Sequence, residues 1–196
     1  MVMQEVEIRW HGRGGQGTIT SANMLAEAAY HAGFRGVMSS PAFGAERRGA
    51  PVTASTRLAP KPLRCLSQVL FPDIVVVLDD SLLKTANAAE GLAKNGLVVV
   101  NTRRPANALG LNSGCRVATA DATSIAERVG LIISGTLMIN TAMLGAIARA
   151  SGIIGLPHIE MALKSIFSPR AAQKNFESAR LTYENTTCLS CMEEAI

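Results

Sequence analysis

Apolar runs of strand length recur along the chain at Val6–Trp10, Gly36–Ser39, Ile74–Leu78, Leu97–Val100 and Arg116–Ala120. Between most of them lie segments that read as helix, such as Thr18–Ala32 and Ser81–Lys94. Strands that alternate with helices imply a parallel sheet, doubly wound through right-handed crossovers. Ile74-Val75-Val76-Val77-Leu78 is apolar on both faces, as a central strand of such a sheet must be. Val52–Leu58 alternates polar with apolar positions and reads as an antiparallel addition. From Thr136 onward the pattern is helical. Pro157-His158-Ile159-Glu160 opens one helix, with Ile159, Ala162, Leu163 and Ile166 on its apolar face; Ser168-Pro169 breaks it, and Arg170–Tyr183 forms a more polar last helix. The expected fold class is three-layer α/β/α with a doubly wound, mostly parallel, Rossmann-like sheet. A single domain is expected over residues 1–196, with 184–196 as a mobile tail.

The stretch from Val129 to Ala148 carries no charge over 20 residues. It is long enough to span a bilayer, but Ser134, Thr136, Asn140 and Thr141 are polar, and Gly135 and Gly145 interrupt it. A short buried strand or turn followed by a buried helix is expected instead. Because a helix apolar all round must be buried, part of it is expected to pack against a sister subunit or a second copy.

Composition narrows the function. Apolar residues make up 48% of the chain and aromatic residues only 4%, the vocabulary of a packed parallel sheet. The formal charge is +4, with no long basic run and no basic tract interleaved with aromatics, so nucleic acid is not expected as a partner. Met1–Glu5 lacks the basic and apolar regions of a secretory leader, and a cytoplasmic location is expected. Cys65 and Cys115 are isolated. Cys188 and Cys191 form a C-x-x-C pair with no second pair and no nearby histidine, so no metal site is assigned. His11, His31 and His158 are scattered, and no self-contained catalytic set is present.

The strongest chemical signal is His11-Gly12-Arg13-Gly14-Gly15-Gln16-Gly17, between the first strand and the first helix. Glycines let the backbone turn tightly and bring its N–H groups close to an anion, which the positive end of the following helix also favours. Gly12, Gly14 and Gly17 fit the dinucleotide spacing, yet the second strand ends in Met38-Ser39-Ser40-Pro41 without the carboxylate that holds a ribose. Arg47 and Arg48 suit a 2′-phosphate, which keeps an NADP-binding domain as the alternative. They stand in a long connection, Ser40–Val52, at the ligand end of the sheet. Adjacent arginines can clamp phosphates there, with Glu46 orienting one of them. The other polar groups at strand exits are Asp79-Asp80, Asn101-Thr102 and Asp121, with Asp80 or Ser81 and Asp121 or Thr123 as ordinary helix caps.

Three motifs taken in order, Gly12–Gly17, Phe43–Val52 and Asn140–Ala146, resemble the gamma subunit of 2-oxoacid:ferredoxin oxidoreductases, closest to the pyruvate and ketoisovalerate enzymes. The resemblance implies an α/β/α fold and a subunit inactive by itself. Its partners would be alpha, beta and delta subunits, with ferredoxin as electron acceptor. It implies that thiamine diphosphate and [4Fe-4S] clusters reside on partner subunits. It also implies that Gly12, Arg13, Gly14, Gly15, Gln16, Gly17, Glu46, Arg47 and Arg48 lie where this chain helps form the coenzyme A site. A purely structural assembly subunit is the further alternative.

Overall fold

A computed structural model describes residues 4–41, 48–64, 68–111, 114–133 and 136–189. The glycine-rich segment follows β1 (Val6–Arg13) and leads into α1 (Thr18–His31); next come β2 (Gly36–Pro41), β3 (Pro51–Ala59) and β4 (Ile74–Val77). The chain continues through α2 (Leu82–Thr85), β5 (Leu97–Asn101), β6 (Arg116–Ala120) and α3 (Ala122–Val129). A small hairpin, β7 (Ile132–Ile133) and β8 (Thr136–Leu137), precedes α4 (Asn140–Ser151), α5 (Leu156–Ile166), α6 (Pro169–Asn185) and β9 (Thr187–Leu189).

The main sheet has seven strands in the order β2-β3-β1-β4-β5-β6-β9. β1, β4, β5 and β6 pair in parallel, while β3 runs antiparallel to both β1 and β2, and β9 antiparallel to β6. The mixed, mostly parallel α/β sheet of one domain is therefore the expected one. The antiparallel Val52–Leu58 addition is present, placed between the first two strands.

Alternation along the central strands explains how both faces are buried. Ile74, Val76, Leu97, Val99 and Ala118 point into one core, and Val75, Val77, Val98, Val100 and Val117 into the other. On the first face α1 packs on β1, β2 and β3, and α4 on β5 and β6; α5 and α6 then cover those helices. Buried Trp10 fastens this side, its Nε1 donating to Thr56 Oγ1 (3.0 Å), which donates in turn to the Ala22 carbonyl (3.0 Å).

The second face is thinner. The helix expected over Ser81–Lys94 is only one turn, α2. Asn87 and Gly91 take positive φ of 45° and 73°, and the Arg9 guanidinium reaches across from β1 to the carbonyls of Ala88 and Glu90. Those carbonyls are held by a distant side chain rather than by the helix ladder, a tertiary tie that local propensity does not register.

Two further expectations change. From Asn140 to Ala148 α4 is buried within the domain: Met143 and Leu144 are both 0% exposed. The means is Gly145, where a Cβ would overlap the Ala179 carbonyl, so α4 and α6 meet backbone to backbone. No sister subunit is needed to cover this helix. The segment 184–196 starts as the end of α6 and then the edge strand β9, whose Cys188 pairs with Ala118. Residues 190–196, with Cys191, lie outside the described residues.

The close approach at Gly145 has a measurable consequence. Gly145→Ala must push α4 from α6, and overpacking of this kind costs about 1–3 kcal/mol. A fall in Tm of roughly 2–12 °C is expected for a chain of this size, read by thermal denaturation. An unchanged Tm would show that the two helices separate at no cost.

Candidate functional site at the strand ends

The carboxyl ends of β1, β4, β5 and β6 meet at the glycine-rich segment. β1 runs through Gly12 to Arg13, so the turn proper is Gly14–Gly17. Each glycine has its own reason. A Cβ on Gly12 would overlap the buried Thr18 hydroxyl and come within 3.0 Å of Leu78. Gly15 has φ of 98° and open space where a side chain would sit. Gly17 precedes α1 with φ of 78°, and its Cβ would stand 2.8 Å from Asn140 Nδ2. No side chain caps the first turn of α1. Its amides have no partner within the helix, which leaves this end receptive to an anion.

Arg13 and Gln16 build the turn. The Gln16 Oε1 accepts from the Arg13 backbone N–H at 2.7 Å. The Arg13 guanidinium is a three-way fork: Nε to Asp79 Oδ2 (2.7 Å), Nη1 to the Gly49 carbonyl (3.0 Å) and Nη2 to Ser81 Oγ (2.7 Å). Burial pushes the Asp79 carboxyl up, but bonds from Ser81 and Arg13 outweigh it and hold the group below its ordinary value. Backbone bonds close the base of the arginine-bearing connection onto the turn, Gly14 N–H to the Ala50 carbonyl (2.9 Å) and Gly49 N–H to the Gly14 carbonyl (3.1 Å). Arg48, exposed, is thereby set beside the glycine turn. Glu46 and Arg47 lie outside the described residues.

The neighbouring strand exits add a polar cleft of about 370 Å³ between Gln16, Asp80, Asn101, Arg104 and Asp121. Asn101 donates to the Leu78 carbonyl and to Thr123 Oγ1, both at 2.9 Å, and accepts from Thr123 N–H. Thr102 donates to Asp80 at 2.7 Å. Asp121 caps α3 through Ser124 N–H (2.9 Å) and pairs with Arg103 (2.9 Å). Burial raises its carboxyl, and bonds from Ser124 and Arg103 more than offset this, leaving it lowered. In the sequence, only their place directly after a strand exit marks Arg103 and Arg104. Asn140 belongs to the site too, since the start of α4 reaches the start of α1, where Ser21 Oγ donates to the Gly17 carbonyl and lies 3.5 Å from that of Asn140.

The insertion of β3 bears on the dinucleotide alternative. A ribose in such a site is held at the end of the strand next to β1. Here β2 is two strand spacings from β1, roughly 10 Å, so Ser39 and Ser40 stand far from the glycine turn. The histidines stand apart from one another, each beside its own partner. His158 accepts from the Gly155 N–H at 3.0 Å, His31 lies 3.4 Å from Glu27, and buried His11 accepts from Arg9 Nε at 3.1 Å. Among the described residues, no three His, Cys, Asp or Glu side chains are grouped to hold a metal ion, and no helix is long and apolar enough to cross a membrane.

A family model described as pyruvate ferredoxin/flavodoxin oxidoreductase matches residues 7–185. The chain is 46% identical over 185 residues to the pyruvate/ketoisovalerate oxidoreductases common subunit gamma of Pyrococcus abyssi, covering 92% of this chain and 97% of that one. It is 42% identical over 178 residues to the pyruvate synthase subunit PorC of Methanocaldococcus jannaschii, with 91% and 95% covered. The crystal structure of pyruvate oxidoreductase subunit PORC from Thermotoga maritima superposes with a TM-score of 0.80 at 37% identity, over 95% of this chain and 99% of that one. The fold alone recurs, at 17% identity and a TM-score of 0.71, in 2-oxoglutarate:ferredoxin oxidoreductase from Magnetococcus marinus, where it takes up 33% of the longer chain and covers 98% of this one.

His11, one residue before the turn, gives the strand ends a pH signature. Burial, reinforced by the Arg9 charge, lowers its pKa from 6.5 to about 4. The unfolded chain therefore binds this proton at a higher pH than the folded one. Stability from neutral His11 is full above pH 6.5 and is lost as pH falls toward 4. Denaturant titrations should show about 2 kcal/mol less stability at pH 5 than at pH 7, and His11→Gln should remove that difference. Equal pH dependence in the two proteins would contradict the assignment.

Proposed function

The chain belongs to the pyruvate ferredoxin/flavodoxin oxidoreductase family, and from that premise we propose that it serves as the gamma subunit of a 2-oxoacid:ferredoxin oxidoreductase acting on pyruvate or a branched-chain oxoacid. The reaction is oxidative decarboxylation: the oxoacid loses CO2, coenzyme A receives the acyl group, and two electrons pass to ferredoxin. Alpha, beta and delta subunits are the partners, and the assembled enzyme works in the cytoplasm. Thiamine diphosphate and [4Fe-4S] clusters, held by those partners, would supply the decarboxylation and electron-transfer chemistry. This chain supplies binding and closure.

One observation carries the coenzyme A role: an uncapped helix start, a glycine turn with open space at Gly15 and an arginine-bearing connection are hydrogen-bonded into one unit. The residues present fit a phosphate. The first-turn amides of α1 and the guanidinium of Arg48 would hold its oxygens, with Arg47 beside it in sequence. Arg13 and Gln16 act one step back, fixing the turn's shape. Gly12 and Gly17 keep strand and helices close enough for that shape to exist.

Arg47→Ala together with Arg48→Ala is expected to leave the fold intact, because Arg48 is exposed and an exposed charge adds little stability. In the assembled enzyme the loss of one charged hydrogen bond, about 1.5–3 kcal/mol, is expected to raise the KM for coenzyme A about ten- to a hundredfold. The KM for the oxoacid should stay unchanged. Steady-state kinetics with coenzyme A and oxoacid varied separately check this, and an unaltered coenzyme A KM would refute the assignment.

A further inference from the structure

The Cys188-x-x-Cys191 motif has no part in the proposed function, and the edge of the sheet gives it another meaning. β9 runs antiparallel to β6 with Thr187 opposite Thr119, Cys188 opposite Ala118 and Leu189 opposite Val117. Two further steps in the same register set Cys191 opposite Cys115. The faces of the sheet agree. Ala118 belongs to the first core and Val117 to the second, against which Cys115 also packs. Alternation along a strand therefore puts Cys188 on one face, and Cys191, like Leu189, on the face of Cys115. A strand would hold Cys188 and Cys191 about 10 Å apart on opposite faces, too far for a bond between them. The backbone of β6 fits as well. Arg116 N–H donates to the Gly96 carbonyl on the β5 side at 2.8 Å, so the polar groups of the neighbouring Cys115 are directed toward β9. Opposite residues that face each other in this way stand roughly 5.5 Å apart at Cα, within the about 4.4–6.8 Å that a disulfide spans. Cys115 is half-buried and lines an open recess of about 570 Å³ with Leu92, Leu111 and Gly114, which gives a small thiol reagent access to it.

We infer that Cys115 and Cys191 are a redox modification site, a reversible cross-strand disulfide that locks β9 onto β6. The oxidant is a low-molecular-weight disulfide. One cysteine thiolate attacks a sulfur of that disulfide and expels its other half as a thiolate. The second cysteine thiolate then attacks the mixed disulfide at the cysteine sulfur and expels the remaining half. Two cysteine thiols are thereby oxidised to one disulfide, the small disulfide is reduced to two thiols, and the two cysteine protons end on them. An excess of small thiol drives the same steps backward. Thr187 and Leu189 of β9 line the cavity that Arg103 and Arg104 also line, so the lock steadies one wall beside the strand-end site.

The test equilibrates the full chain with oxidised glutathione, alkylates the remaining thiols and digests the monomer for mass spectrometry. A linked Cys115–Cys191 peptide pair is expected. It should be lost on treatment with dithiothreitol and in Cys191→Ser, and kept in Cys188→Ser. Oxidation should raise the Tm of the wild-type chain by roughly 5–15 °C, as for a cross-link that closes a long loop. It should leave the Tm of Cys115→Ser and of Cys191→Ser unchanged. A bond from Cys191 to Cys188 or to Cys65, glutathione adducts alone, or no oxidation at all would overturn the inference. So would a Cys115–Cys191 bond without a rise in Tm, because such a bond would lock nothing.

Discussion

The site depends on the Arg13 guanidinium. It leaves the end of β1 and reaches three acceptors in two segments far from it in sequence: Asp79 and Ser81 after β4, and Gly49 in the connection leading to β3. Planar, permanently charged and forked, it satisfies all three at once, which a lysine cannot do. The bond to Asp79 is charge-assisted, and both side chains are partly shielded from water. Because the same fork holds Gly49, the residue next to Arg48, the placement of Arg48 follows from that of a structural arginine. The turn and the arginine connection are thus one object, although Gly14 and Arg48 are separated by more than thirty residues.

Much of this was legible in the chain. The apolar runs marked β1, β2, β4, β5 and β6 to within a few residues, most plainly β4 and β5, whose residues are all buried on both faces. The glycine turn was visible through spacing, and Asp121 as a cap through its place before a helix. What the spacing did not convey was the division of labour. Arg13 and Gln16 look like ligand groups in sequence, yet in the structure both are spent on the protein's own backbone and side chains.

The parts not legible were set by distant partners. Ser81–Lys94 has helical composition, but Arg9 draws the carbonyls of Ala88 and Glu90 toward the sheet, and Gly91 fits where Leu70 crosses. The helix of Asn140–Ser151 looked too apolar for one small domain to cover. Gly145 removes the side chain that would keep α6 away, and a second helical layer does the covering. β9 is too short at three residues to show any periodicity. In each case a contact between residues far apart in sequence decided the outcome.

The most direct test of the central claim is reconstitution of the oxidoreductase from separately purified subunits, with and without this chain. Ferredoxin reduction is followed with pyruvate or a branched-chain oxoacid and coenzyme A. The account predicts negligible coenzyme A-dependent turnover from the remaining subunits, restored by adding this chain in stoichiometric amount. This chain alone should show none. Full coenzyme A-dependent activity in its absence, or oxidoreductase activity by the chain alone, would contradict it.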